Sequence, residues 1–126
     1  MAAEFIKQIN DAIGSHALWK DRLQQALATG SCDMTATGAA RSHACAFGRW
    51  LNSDALDGED RAHLSFRAVA EMHREFHTIA GTMLTLVQRG ALEEARSLFE
   101  GDFAKQSGKL TRALRQWKKE LRQGIH

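Results

Sequence analysis

Two histidines that lie four residues apart, His73 and His77, stand in the run HREFH within a stretch whose apolar residues recur at helical spacing. On an α-helix, this spacing places two imidazoles on one face, about one turn apart, where they can bind the same metal ion. The intervening residues are Arg74, Glu75 and Phe76. The hydrolytic HExxH pattern, with Glu directly after the first His, is therefore absent. The pair favours a closed metal site over a catalytic one.

Two more residues of ligand type are distant in sequence, His16 in HALWK and Cys45 in CAFGRWL. His16 interrupts the apolar stripe of the first predicted helix, so we expect its imidazole to point toward the core. Three imidazoles and one thiolate form a donor set that Zn²⁺ accepts in four-coordinate sites. From the residues alone the alternatives stay open, because buried His and Cys also occur as ordinary core residues.

The elements that must position these residues are helices. No proline occurs in the chain, and glycine-containing segments separate long stretches with apolar residues at 3.6-residue spacing. Short connections between such helices predict an all-α fold, an antiparallel bundle forming a single domain over residues 1–126. The predicted helices cover about 4–28, 39–51, 61–88 and 91 to the end, with Cys45 inside the second and an interruption of the last expected near Gly101 or Gly108.

Composition narrows the class of protein. The chain has 126 residues, 44% of them hydrophobic and 25% charged, which is typical of one globular domain. Two cysteines do not make a disulfide framework, and the first residues do not resemble an export signal. No stretch is long and apolar enough to suggest membrane insertion. We therefore expect a cytoplasmic location.

Positive charge is concentrated in the last predicted helix. Between Lys105 and His126 there are seven Lys or Arg residues against one acidic residue, Glu120. A solvated helix face is the simpler interpretation, since cations suit the C-terminal end of the helix dipole. Docking onto an acidic partner, a membrane surface or nucleic acid is the alternative. Nucleic acid is not favoured, because Trp117 is the only aromatic residue among these charges.

The remaining histidines and the second cysteine fit a shared metal site less well. His63 precedes His77 by fourteen residues, or about 21 Å along one helix. His43 is two residues from Cys45, which would place it on nearly the opposite face of a helix. His126 ends the sequence, and Cys32 lies in a Gly/Ser/Thr-rich loop where an ordinary exposed thiol is expected.

Three segments taken together resemble the chemoreceptor zinc-binding (CZB) domain family. They are His16 with Trp19 in HALWK, Cys45 with Gly48 and Trp50 in CAFGRWL, and the HREFH pair. Their order and separation match the family, and the resemblance extends over essentially the whole chain. It implies a four-helix bundle with an additional short helix, usually homodimeric, that binds zinc through His16, Cys45, His73 and His77.

The resemblance also implies a role in bacterial signal transduction rather than an enzymatic activity. Such domains accompany chemoreceptors of chemotaxis or diguanylate cyclases of cyclic-di-GMP signalling, and they respond to zinc or to oxidants such as hypochlorous acid. Cys45 would be the redox switch, since an oxidised sulfur binds zinc less well than a thiolate. The 126 residues contain neither a methyl-accepting coiled coil nor a cyclase domain. Both a stand-alone sensor and a domain of a longer chain stay open, as does a pure zinc sensor.

Two other classes of function stay open. One is a helical-bundle protein that binds a metal other than zinc, such as a di-iron protein. Di-iron bundles use inward Glu-x-x-His patterns, which Glu71 and Glu75 do not form with His73 or His77. The other is a helical interaction module, in which the His and Cys side chains are core residues and the basic last helix binds a partner.

Overall fold

Helices form nearly all of the chain that the computed structural model describes, which comprises residues 2–31, 35–41 and 45–124. No strand occurs within these ranges, so the predicted all-α bundle is confirmed. The helices are α1 (Ala2–Thr29), α2 (Ala36–Ala40), α3 (Ala46–Leu51), α4 (Gly58–Ala62), α5 (Leu64–Gln88), α6 (Leu92–Leu98) and α7 (Ala104–Arg122), with a π-helical segment at Phe99–Phe103 between the last two.

Helix α1 is amphipathic and places one stripe of side chains in the core. Its buried residues recur every three or four positions, as a helix that packs by one face requires; they include Phe5, Ile9, Ala12, His16 and Leu23. The helix ends at Gly30, whose φ of 74° lies in the left-handed region that favours glycine. The sequence prediction of this helix is correct to within two residues at either end.

The second predicted helix, over residues 39–51, is wrong. Two short helices take its place, and each begins at a side chain that caps it. The Thr35 hydroxyl accepts a hydrogen bond from the Gly38 amide at 2.9 Å, and Cys45 Sγ accepts one from the Gly48 amide at 3.3 Å. Helix α2 ends at Arg41, whose backbone is extended. Cys45 therefore precedes α3 as its N-cap instead of lying within a helix.

The third predicted helix, over residues 61–88, is divided at His63. Helix α4 begins with a capping box, in which the side chains of Asp57 and Asp60 each accept a hydrogen bond from the other's amide. His63 then caps α5, because its Nδ1 accepts from the Ser65 amide at 3.2 Å. Helix α5 ends before Gly90, which has a φ of 77°. The change of direction at His63 separates this histidine from the α5 helix that carries His73.

The last helix changes its hydrogen bonding near Gly101, one of the two positions where an interruption was expected, but it is not broken there. Residues 92–122 form one continuous helical run whose hydrogen bonding changes to the π pattern around Gly101. The rings of Phe99 and Phe103 stack there with centroids 5.5 Å apart. Gly108 lies inside α7, where the helix continues without a break.

The long helices pack with α7 antiparallel to both others. From α5 to α7, Ser65 bonds to Glu120 and the ring of Phe76 contacts that of Phe103, so sequence positions rise along one helix as they fall along the other. Helices α1 and α5 run in the same direction, since Phe5 and Phe66 both contact Trp117 at one end of the bundle. The short α2 packs on α5, and α3 packs on α1. None of the described helices combines the length and apolar character needed to cross a bilayer.

Candidate metal centre

His16 brings a nitrogen from α1 into the core. Its side chain is 5% exposed, and its Nδ1 donates a hydrogen bond to the Ala12 carbonyl one turn earlier, at 2.7 Å. With the proton on Nδ1, the Nε2 atom carries a lone pair. That Nε2 is buried and makes no hydrogen bond within the described chain. A buried polar atom without a partner costs free energy, so its position needs an explanation.

His73 and His77 bring two more nitrogens from α5, and both side chains are at most 2% exposed. Their Nε2 atoms lie 3.1 Å apart. The Nδ1 of His77 donates to the Ala39 carbonyl at 3.0 Å, which orients the ring and leaves Nε2 as its electron-pair donor. The prediction that both imidazoles face inward from adjacent turns is confirmed.

Cys45 supplies the sulfur. Its Sγ lies 3.3 Å from His73 Nε2, and the side chain is half-buried. Because Cys45 is the N-cap of α3, the backbone amide of Gly48 points at the sulfur.

These four side chains converge on one point. One donor atom from each of the four residues, three nitrogens and one sulfur, lies within 4.8 Å of the others, and α1, α5 and the start of α3 supply them. A metal ion placed among them would also give the unpartnered His16 Nε2 an electron acceptor. Sulfur and imidazole nitrogen are the donors that zinc prefers in structural sites. The residues present therefore fit a zinc ion.

Burial keeps the imidazoles in the form that binds metal. Burial lowers the pKa of His16 to about 4, and the Ala12 carbonyl opposes only part of this effect. Burial, together with the neighbouring His77 and His16, lowers the pKa of His73 to about 2. Burial also lowers the pKa of His77. All three rings are consequently neutral near pH 7, and a neutral imidazole is the form that coordinates a metal ion.

The thiol behaves differently. Burial raises the pKa of Cys45 above its ordinary value, and the Gly48 amide offsets only part of that rise. Arg49 also opposes the rise but does not cancel it, so in the absence of a bound metal ion the group is a thiol near pH 7. Coordination requires the thiolate, so metal binding at this site must release a proton.

Aromatic rings enclose the donor atoms. The rings of Phe76 and Phe47 meet His16 edge to face, with centroids 5.0 and 6.1 Å away. Trp19 contacts His77 in the same manner at 5.3 Å. Trp50 is buried further from the site, against Phe5 and Phe47. The two tryptophans of the sequence motifs therefore pack beside the site and supply no donor atom to it.

Other candidate ligands are not in this cluster. His63 caps α5, and its Nδ1 lies 4.0 Å from a carboxylate oxygen of Glu120. Glu71 is exposed and pairs with Arg74, and Glu75 is exposed as well, so neither contributes a carboxylate to the site. Cys32, His43 and His126, to which we assigned no metal, lie outside the described residues.

Two contributors to the site were missed by sequence reasoning, the carbonyl groups of Ala12 and Ala39. A backbone carbonyl leaves no signature in residue type. The Ala12 bond could have been inferred, since a buried helical His can reach the carbonyl four residues earlier. The Ala39 bond joins positions 38 residues apart and could not.

Comparison with known families agrees with this geometry. The model of the chemoreceptor zinc-binding domain matches residues 16–84, a stretch that contains His16, Cys45, His73 and His77. The motifs led us to expect a resemblance over essentially the whole chain. The matched stretch is shorter, because it ends within α5. Searches of curated proteins and of solved structures each gave no significant match. The family match covers more than half of the chain, and the four side chains of the motifs are positioned to form a metal site. The chain belongs to the chemoreceptor zinc-binding domain family, and its cofactor is zinc.

Proposed function

We propose that this protein is a zinc-binding sensory domain of bacterial signal transduction, with His16, Cys45, His73 and His77 as the zinc ligands. The observation that carries the proposal is the convergence of four donor atoms within 4.8 Å of one another. The unpartnered and buried Nε2 of His16 supports it, because a metal ion would supply the missing partner.

A sensory role suits this site better than catalysis. Four protein donors complete the coordination that zinc adopts in structural sites, so no position is left at which water or a substrate could be activated. Zinc would instead connect α1, α5 and the segment that begins at Cys45. Changes in zinc occupancy would then alter how firmly the short helices α2 and α3 are held against α1 and α5.

The wider setting is proposed from the family. We propose a single cytoplasmic domain that forms homodimers and transmits its state to a chemoreceptor, a cyclase or another signalling protein. In its favour, the family is named for chemoreceptors, and no described helix could cross a bilayer.

Cys45 is the ligand through which an oxidant would act. It is half-buried, whereas the three histidines are at most 5% exposed. Hypochlorous acid would convert the thiolate to a sulfenic acid, with a new S–O bond formed, two electrons taken from sulfur and chloride released. The product is a poorer zinc ligand, so the Cys45 segment would be freed from the site. In a pure zinc sensor, the free zinc concentration alone would set the occupancy.

Elemental mass spectrometry tests the proposal most directly. Untagged protein, purified without chelator, should contain close to one zinc per chain. The matched control is His63→Ala, which removes a histidine outside the cluster and should leave the zinc content unchanged. Another metal at one equivalent would overturn the choice of zinc. A folded protein that contains no metal and takes up none on titration would favour the alternative, an interaction module that uses the exposed cations of α7.

A further inference from the structure

Two pockets among the described residues adjoin the candidate metal centre, and one of them lies beside Cys45. The three histidines are buried, and the half-buried cysteine lies at a pocket of about 240 Å³ that opens to solvent. The lining of this pocket includes Trp19, Thr35 and Arg41, together with Cys45 and His77 from the candidate metal centre. The pocket thus joins the surface to two of the four ligands.

The size of the pocket selects what can enter. Pockets for drug-sized ligands hold about 300–1,000 Å³, so this one suits a hydrated ion or a small chelating group. Trp19 forms one wall of the pocket, where its ring lies against His77 and the Arg22 guanidinium lies 5.8 Å from its centroid. The indole therefore limits the width of the passage beside the donor atoms.

A second pocket, of about 200 Å³, approaches the centre from another side. It is lined by His73 together with residues that include Asn52 and Arg74, but not by Cys45. The Nε2 of His73 faces Cys45 and His77. This second pocket therefore meets a ring whose donor atom points toward the other ligands.

We infer that the pocket beside Trp19 is the portal through which zinc exchanges between the candidate metal centre and small chelating molecules. This inference rests on the proposed function. A chelator donor would enter the pocket and bond to the ion from the open side, while Cys45 leaves as the first protein ligand and takes up a proton. The pocket would be occupied by zinc bound to a small multidentate chelator, and the Trp19 side chain would limit the size of the chelator that can enter.

The inference predicts a kinetic signature. A wall residue that hinders passage without contacting the ion changes the rates of zinc uptake and release by the same factor, and leaves the equilibrium affinity in place. Trp19→Ala should raise both rates about tenfold, which corresponds to a barrier lowered by about 1.4 kcal/mol. The dissociation constant should stay within about twofold, since the Ala39 carbonyl still orients His77.

The experiment measures zinc release to a chromophoric chelator and zinc uptake from a fluorescent indicator, by stopped flow. In wild-type protein, release should accelerate with chelator concentration and be slower for bulky chelators than for iminodiacetate. Trp19→Ala should remove that dependence on size. The matched control is Arg74→Ala, which widens the second pocket and removes only an exposed ion pair with Glu71. This variant should leave both rates unchanged. Trp19→Phe serves as a milder variant if Trp19→Ala fails to fold.

Every other outcome of these measurements contradicts either the portal or the proposed function. Wild-type protein that binds no zinc would overturn the proposed function itself. If zinc binds but release is independent of chelator concentration in every variant, exchange requires opening of the fold and the portal is wrong. Faster exchange in Arg74→Ala alone would assign the second pocket. A weakened affinity in Trp19→Ala with one rate unchanged would make Trp19 a support for His77 only.

Discussion

The Nδ1 of His77 donates a hydrogen bond to the carbonyl of Ala39 at 3.0 Å, across 38 residues of sequence. This bond couples the short helix α2 to a predicted zinc ligand on α5. Ala39 is buried, and α2 packs directly on α5, so the carbonyl is held by the packing of its helix. Partners of this kind fix the orientation of a ligating imidazole, and their loss typically weakens metal binding about 10–100-fold.

Gly81 controls how closely α2 approaches α5. A methyl group at this position would lie 2.6 Å from Ala40 Cβ and 2.9 Å from the Ala36 carbonyl oxygen, so α2 would have to move. Gly81→Ala should lower the free energy of unfolding by about 1–3 kcal/mol, as overpacking does. It should also weaken zinc binding, because the displaced Ala39 carbonyl would no longer orient His77. Chemical denaturation and zinc titration measure the two effects.

Gly14→Ala is the control for that change. Gly14 lies in α1 with open space where its Cβ would stand, so alanine should stabilise the helix by about 0.5–1 kcal/mol without affecting zinc. Equal zinc affinities of Gly81→Ala and wild-type protein would show that the Ala39 bond does not support the site.

Replacement of a ligand should have a larger effect than replacement of its support. His16→Ala and His73→Ala should each weaken zinc binding by more than the roughly 100-fold upper limit for loss of an outer hydrogen-bond partner. Isothermal titration in competition with a chelator of known affinity would measure this. His63→Ala is the matched control, since that side chain caps α5 outside the cluster. A His16 variant that retained wild-type affinity would remove α1 from the site.

Zinc should stabilise the fold. At a free zinc concentration 100 times the dissociation constant, binding adds about 2.7 kcal/mol. For a domain of this size, that gain raises Tm by roughly 10 °C. Differential scanning calorimetry with zinc and with a chelator would show the difference. An unchanged Tm with zinc bound at one equivalent would mean that the unfolded chain binds zinc as tightly as the folded chain, which contradicts a site assembled by the fold.

The zinc-free protein should lose stability in acid. Above about pH 6.5 the three buried histidines are neutral in both the folded and unfolded states. As pH falls below that value, the histidines of the unfolded chain take up protons. In the folded state the pKa of His16 is lowered to about 4 and that of His73 to about 2, so these rings stay neutral. The free energy of unfolding therefore falls as pH falls from 6.5 toward 4, and falls further below that.

Urea denaturation at several pH values measures this slope. His16→Gln should make it shallower, because one of the groups that withholds a proton is gone. A slope that is unchanged in His16→Gln would contradict the assignment of the buried neutral ring. With zinc present, affinity should fall over the same range, since protons compete with the ion for imidazole and thiolate.

The oxidant response should depend on Cys45. Addition of hypochlorite to zinc-loaded protein should release zinc, detected with a chromophoric indicator, and change the near-ultraviolet circular dichroism. Cys45→Ser should bind zinc much more weakly and lose the oxidant-triggered structural change. Cys32→Ser is the matched control and should respond like wild-type protein. A Cys45→Ser protein that kept the full structural response would overturn the switch.

Residue types and the helical spacing of apolar side chains were sufficient to predict the long helices and the inward-facing histidines. The 3.6-residue spacing of apolar side chains predicted α1, α5 and the last helical run, because amphipathic helices must bury one face. The same phase placed His16, His73 and His77 on buried faces. The donor types were compatible with zinc, and the resemblance of the three motifs to the chemoreceptor zinc-binding domain family selected it.

Only the tertiary structure decided how the short helices and the site are arranged. New helices begin at the caps Cys45 and His63, which divide two of the predicted helices. The spacing of apolar residues does not reveal such side-chain-to-amide hydrogen bonds. The Ala39 carbonyl, the close approach at Gly81 and the pocket beside Trp19 involve residues far apart in sequence. Contacts of that kind depend on how helices pack, because backbone groups and cavities carry no signature in the residues that form them.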